Sequence, residues 1–215
     1  MRTHIQKLCV GLCLGLVIVA GTTWLPSASS SSGGPDVTEL STRTSSSRET
    51  MVDVLGAPGA NTSLGEEART FDRLVGTWDA EFTFRRDDGT SQHKKGELHF
   101  GWVMDGRAIQ DLWIGYPADG RPERTIGTTI RFFDTKLRQW RLVFINPQFN
   151  YIVTAQGGRE GDRIVFRGVD TDGVPLRWTF SDITGKTFNW RGEKSHDGGA
   201  TWTLEEDHQM KRRGI

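Results

Sequence analysis

From Thr77 onward the chain alternates in polarity. Trp78, Ala80, Phe82 and Phe84 are apolar, while Thr77, Asp79, Glu81, Thr83 and Arg85 are polar. A period of two sends neighbouring side chains to opposite faces, so this stretch predicts a half-buried strand. The pattern returns in Leu98, Phe100 and Trp102, in Arg107 to Gly115, and in segments 126–133, 138–145, 150–157, 162–169, 174–181, 186–194 and 200–210. Turn-forming groups separate most of them: Asp87-Asp88-Gly89-Thr90, Met104-Asp105-Gly106, Asp134-Thr135-Lys136, Asp170-Thr171-Asp172-Gly173 and His196-Asp197-Gly198-Gly199. About ten strands, spaced by roughly 14 residues, therefore follow one another as consecutive hairpins. No segment looks like an edge guarded by proline or inward charge, which favours closure. The fold class is all-β, an antiparallel up-and-down β-barrel, and a barrel of about eight to ten strands has room for packed side chains and one small ligand.

Ahead of the strands, Leu64, Ala68, Phe71 and Leu74 recur at helical spacing, and Ser63 and Glu66 have the spacing of a capping box. A short N-terminal helix lying against one end of the barrel follows. Residues 30–62 read as a flexible linker, because this Ser/Thr/Gly/Pro-rich stretch buries too little apolar surface to offset its ordering entropy. Asn61-Thr62-Ser63 has the form of a glycosylation acceptor, which matters only in a eukaryotic secretory pathway. Arg2, His4 and Lys7 precede an apolar run from Leu8 to Gly21, the layout of a secretory signal, with small residues at Ser27, Ala28 and Ser29 for cleavage. Residues 1–29 are thus a signal peptide or an N-terminal anchor, since Leu8 to Leu25 is as long as the roughly 18 residues that span a bilayer. The barrel domain occupies residues 63–213 and is expected outside the cytoplasm, secreted or in the cell envelope or periplasm.

Composition narrows the chemistry. The 27 basic residues balance the 27 acidic ones and are interspersed with them, so no footprint for nucleic acid is present. Contact with a membrane is expected only through an uncleaved anchor. Both cysteines, Cys9 and Cys13, lie in the leader, leaving the exported domain without a disulfide or a thiol nucleophile. His93, His99, His196 and His208 lack metal-ligand spacing, and no cofactor is called for. Excluding Trp24, the tryptophans are Trp78, Trp102, Trp113, Trp140, Trp178, Trp190 and Trp202, most of them on the apolar parity of their strands. They can fill a core or wall a pocket for a flat apolar ligand, and both readings stand. In Arg107 to Ile114 two parities remain open: Arg107, Asp111 and Trp113 inward, or Gln110 with Ala108, Leu112 and Ile114.

Gly76-Thr77-Trp78 resembles the first-strand signature of the calycins, meaning lipocalins, fatty-acid-binding proteins and their relatives. The resemblance implies that Trp78 packs under a basic residue from the end of the last strand. Trp202, Leu204, Glu206, His208, Met210 and Arg212 share one parity there, so Arg212 is the expected cation. Gly96 to Trp102, Gly106 to Asp111 and Ser195 to Trp202 resemble a bacterial family of lipocalin-like domains with no assigned function, over about residues 70–212. That resemblance implies a fold and no reaction. Haem-binding barrels related to the fatty-acid-binding proteins share the Gly-Thr-Trp start, and their activity would require a proximal histidine, for which His208 is the candidate. Ser195 to Trp202 also resembles the Asp-box of propellers, and occurring once it reads as a hairpin turn between the last two strands.

The leading expectation is a small hydrophobic or aromatic partner bound inside the barrel by Trp102, Trp140, Asn146, Trp178, Trp190, Glu206 and His208. Trp78 and Arg212 are assigned to structural closure. An enzyme of hydratase, isomerase or cyclase type is the alternative, with Glu206 and His208 as catalytic candidates because a carboxylate beside a histidine can move protons. A third reading is a structural or interaction domain without a cavity.

Overall fold

The computed structural model describes residues 49–86, 88–118 and 122–214. The leader and residues 30–48 of the expected linker lie outside the described residues. A helical turn, α1 (Met51–Leu55), and a two-residue strand, β1 (Gly56–Ala57), precede the main architecture. Ten antiparallel strands follow: β2 (Gly76–Arg85), β3 (Ser91–Val103), β4 (Ala108–Gly115), β5 (Thr125–Asp134), β6 (Gln139–Asn146), β7 (Tyr151–Glu160), β8 (Arg163–Asp170), β9 (Pro175–Ser181), β10 (Thr187–Lys194) and β11 (Thr203–Arg212). Each pairs with its neighbour in sequence, and β11 returns to pair with β2, so the ring closes as a lipocalin-like up-and-down barrel. Closure satisfies the ladder of every strand and leaves none of the ten as an edge.

The turns explain why consecutive strands reverse so tightly. Asp134 Oδ1 accepts from the backbone N–H of Lys136 and Leu137, and Asp170 Oδ1 accepts from those of Asp172 and Val174. Asp197 does the same in the last hairpin, accepting from Thr201 N–H and from the hydroxyls of Ser195 and Thr201. A short side chain that takes up turn amides fixes the reversal locally.

One end of the barrel is packed solid. Phe71, Leu74, Trp78, Trp140, Phe166 and Phe188 are fully buried there, with Phe71 edge-on to Trp140 at 4.8 Å and Trp78 edge-on to Phe188 at 4.7 Å. The segment expected as a capped α-helix is a 3₁₀ helix over Thr62–Thr70, and its cap is Asn61, whose side chain accepts from Ser63 N–H. Gly65, at φ 55°, kinks it and breaks the α-helical bonding that a Ser63–Glu66 box would begin. Leu64, Phe71 and Leu74 still face the barrel, so the apolar spacing was informative although the helix type differs.

Two further departures have physical causes. Residues 51–57, expected to continue the flexible linker, form α1 and β1. A reciprocal Thr50–Asp53 capping box starts α1, and Leu55 C=O accepts from Met104 N–H beside the β1–β3 pairing. The single parity expected from Trp202 to Arg212 is broken by a bulge: Glu193 pairs with Leu204 and Gly192 with Glu206, leaving Glu205 as the extra residue. Trp202 consequently sits outside, with the Arg177 guanidinium 4.7 Å from its ring.

Candidate functional site

The opposite end of the barrel is open. A cavity of about 380 Å³ lies where β3, β5, β7, β9 and β11 begin and their partners end. Its apolar wall comes from Phe82, Phe84, Trp113, Phe144, Trp178 and Trp190, one or two from each contributing strand. These rings form a connected chain of edge-on and tilted contacts, Phe82–Trp113 at 5.8 Å, Trp113–Trp190 at 5.3 Å, Trp190–Trp178 at 5.4 Å and Trp178–Phe144 at 5.7 Å.

His208 sits inside this wall. It stacks on Trp190 at 4.9 Å and 16° and meets Phe82 edge-on at 5.0 Å. Its Nδ1 accepts from the backbone N–H of Thr83 at 3.2 Å, so the ring proton belongs on Nε2, which donates to Glu206 Oε2 at 3.0 Å. Both ring nitrogens are therefore engaged, and neither presents a lone pair to the cavity. Among the described residues, no group of three or more His, Cys, Asp or Glu side chains is arranged to hold a metal ion.

A second polar group lies deeper. Arg131, 1 % exposed, lines the cavity and pairs with the fully buried Asp111, Nη1 to Oδ2 at 2.6 Å. Asp111 Oδ1 accepts from Thr129 N–H. Phe71, Phe100, Phe166 and Phe180 surround the guanidinium with ring centroids 5.5 to 5.9 Å away, which offsets part of the cost of burying the charge.

At the mouth, the bulge turns Glu205 toward Lys194, whose Nζ lies 3.4 Å from Glu205 and 3.0 Å from Asp170. Burial raises the Asp170 carboxyl, but the Lys194 hydrogen bond and the Val174 and Asp172 amides win and hold it below the usual range. Burial also lowers Lys194, and Asp170 foremost outweighs it, so the ammonium stays charged well above neutrality. Tyr151 is pushed up to about 12, mainly by burial, and remains a neutral phenol that donates toward Asp170.

Of the residues singled out from sequence, Asn146, Trp178, Trp190, Glu206 and His208 come together on the cavity wall. Trp102 and Trp140 do not. Both belong to the packed end, where Trp140 Nε1 donates to Glu67 and Trp102 pairs with Ile109 and Ala57. Arg212 lies over Trp78, 4.0 Å from the ring, as its direct partner across β2 and β11. The open parity in β4 resolves with Ile109 and Asp111 buried and Trp113 on the cavity wall, while Arg107 is exposed in the preceding turn. Trp113, one of the two parities left open, is a wall residue, and Arg131, Tyr151, Lys194 and Glu205 are wall residues that the sequence pattern did not single out. The available signal was turn-adjacent polarity at the strand ends for the last three. For Arg131 there was none, because Ile126, Ile130 and Phe132 make the outer face of β5 look like the core face.

No family model matches this chain, and no curated protein matches it in sequence. Solved structures do match in shape. The S-type phycobiliprotein lyase CPES from Guillardia theta aligns at a TM-score of 0.52 with 12% identity, over 67% of this chain and 91% of its own. Rv2717c from M. tuberculosis aligns at 0.52 with 15% identity, over 72% of this chain and 99% of its own. At such identities the likeness is one of fold.

Proposed function

We propose that this barrel carries a small, flat, largely aromatic molecule in its open-end cavity. The supporting observation is the asymmetry of the interior: one end is filled to the axis by buried rings, whereas the other keeps about 380 Å³ between aromatic walls. A barrel built only for stability would have no reason to stop packing halfway, because each unfilled space forfeits dispersion and burial energy. The volume lies at the lower end of small-molecule sites, and the lining has their composition, apolar walls with a few oriented polar groups.

Carriage is favoured over catalysis by the state of His208. A general base needs a free lone pair, and the Thr83 amide occupies the one on Nδ1 while the proton sits on Nε2. The pair with Glu206 instead fixes the imidazole as a flat wall element stacked on Trp190. The reading without a cavity loses its premise. We further infer from the leader that the barrel works outside the cytoplasm, which N-terminal sequencing of the protein from a cell-envelope fraction would check.

The experiment is a titration with an uncharged aromatic dye, read by quenching of tryptophan fluorescence and by thermal shift. Gln92, half-buried on the cavity rim, is the position to block. Gln92→Trp should leave the melting temperature within a few degrees and weaken dye binding at least tenfold. Undiminished binding to the blocked variant would place the dye elsewhere and remove the proposal.

A further inference from the structure

The outer wall of the barrel is of two kinds. Around β2, β3 and β11 it is charged: Asp79, Glu81, Lys95, Glu97, Asp207 and Lys211 point away from the interior, and Asp79, Glu97 and Asp207 are ion-paired with arginines. From β4 to β8 it is aliphatic. Leu112, Phe132, Ile145, Ile152 and Val169 are 39 to 49% exposed, and Ile130 and Val143 lie half-buried between them. The register sets them side by side. Leu112 pairs with Thr128, Thr128 with Ile145 and Ile145 with Ile152, while Ile130 pairs with Val143, Val143 with Thr154 and Thr154 with Val169. No outward residue in these two rows carries a charge. Arg141 and Arg167, one row on, are taken by Asp134 and Glu160.

A sheet face turned only to water is polar, and a contiguous apolar patch of several hundred Å² marks a surface that is covered. Four strand spacings make this face about 19 Å wide, and six residues of β5 make it about 20 Å long, roughly 400 Å² in all. That suits the apolar core of an interface in which each partner, polar rim included, contributes roughly 800 Å².

Shape names the occupant. The face holds a recess of about 410 Å³ lined by Leu112, Ile126, Ile145 and Pro147, well above the roughly 150 Å³ that accepts a benzene ring. Gln148 fixes its rim by accepting from Ile126 N–H and donating to Arg124 C=O. The largest exposed apolar side chain of the same face is Phe132, six residues from Ile126 on the same strand, about 20 Å away. Knob and recess are thus both outward-facing and lie equally far from Thr129. A two-fold axis in the plane of the face, crossing β5 at Thr129, carries Phe132 of each copy onto Ile126 of the other, so both contacts form at once. The same operation sets Ile145 against Val143. An unrelated partner would have to supply a knob and a recess at this spacing, and a second copy has them. A lipid surface supplies neither, and the two arginines of the adjoining row are already neutralised.

We propose that two copies of this chain associate through the outer wall of β4 to β8 about that axis, each placing Phe132 in the recess of the other. The open ends then point in opposite directions and both cavity mouths stay clear. This association is independent of what the cavity holds.

Sedimentation velocity of the full chain at micromolar concentration should give a dimer. Phe132→Lys and Ile126→Glu should each raise the dissociation constant at least tenfold, with circular dichroism unchanged, because each sets a charge against an apolar group twice per dimer. Gln209→Lys, exposed on the charged wall, should leave the dimer intact. Mixing the Phe132→Lys and Ile126→Glu chains should restore dimers, since the mixed pair has one lysine–glutamate contact and one native contact. Should either variant fail to fold, Ile145→Lys, on the same face, must still yield monomers. A monomeric wild type overturns the proposal and leaves the face to another protein or a lipid surface. Dimers that survive the folded Phe132→Lys or Ile145→Lys variant, or two folded variants that stay apart when mixed, overturn it equally.

Discussion

Two arginines show how differently one side chain is used in this barrel. Arg212 lies flat over Trp78 and donates to three backbone carbonyls, Nε to Gly185, Nη1 to Val75 and Nη2 to Arg73. It stitches the β9–β10 turn and the approach to β2 onto the seam where β11 closes the ring. Charge-assisted bonds of this kind contribute more than neutral ones, and a ring contact adds about 0.5–2 kcal/mol. Arg212→Ala should therefore cost about 2–4 kcal/mol in urea denaturation. Arg212→Lys should recover less than half of that, because an ammonium cannot reach three carbonyls in one plane. Recovery to wild-type stability by lysine would reduce the role of the guanidinium to its charge. Arg131, by contrast, gives one nitrogen to Asp111 and is otherwise enclosed by the rings of Phe71, Phe100, Phe166 and Phe180. The first arginine was legible from parity and from the calycin-like start of β2. The second was hidden, since its burial depends on Asp111 arriving from the adjacent strand.

Single elements carry the deviations that shape the barrel. The bulge at Glu205 turns Trp202 outward and Glu205 toward Lys194, and a parity argument cannot see it because one extra residue inverts every side chain beyond it. Gly157 and Gly168 mark another local constraint. A Cβ on Gly168 would run into Thr154 C=O and Ala155, and one on Gly157 into Val165 C=O and the Phe166 backbone. The β7–β8 ribbon can coil this closely only where two of its residues lack side chains. Gly168→Ala should cost about 1–3 kcal/mol as an overpacking change, read as a lowered urea midpoint with an unchanged slope. A neutral result would mean that the ribbon can relax away from its coil. In the sequence both glycines look like ordinary turn or strand interruptions. The 3₁₀ segment behaves likewise: its apolar residues announced a docked helix, and Gly65 decided its type.

The barrel is polarised, with a solid end that holds the ring together and a hollow end that keeps the cavity. Its acid sensitivity should reflect the carboxylates bound in the folded state. Asp170, with its Lys194 and amide partners, and Glu97, held by Arg213 against the opposing effect of burial, both lie below their ordinary values. A carboxyl with a lowered folded pKa contributes stability above its unfolded value and loses it as protonation reaches the folded one. Stability should thus be flat from pH 7 to about 5 and fall below about 4. Asp170→Asn should lower stability at pH 7 by about 1–3 kcal/mol and flatten the fall between pH 5 and 3. Urea midpoints across that range would show it, and an Asp170→Asn curve parallel to wild type would exclude this carboxyl as a cause.

The ten-strand ring could be read directly from the chain, because alternation and turn chemistry are local: each strand and each reversal is specified within about a dozen residues. The Trp78–Arg212 seam was readable for the related reason that both residues sit at strand ends whose pairing closure requires. Where the interior is full and where it is empty could not be read that way. Trp102, Trp140, Trp178 and Trp190 are equivalent in pattern, yet two fill the solid end and two wall the cavity. Their roles depend on height along the barrel axis, which register and bulges set jointly. Burial of Arg131 depends in the same way on side chains from several strands meeting at one level. Local pattern assigns a residue to a face of the sheet, and only the assembled barrel brings residues from separate strands to the same depth, where the candidate chemistry arises.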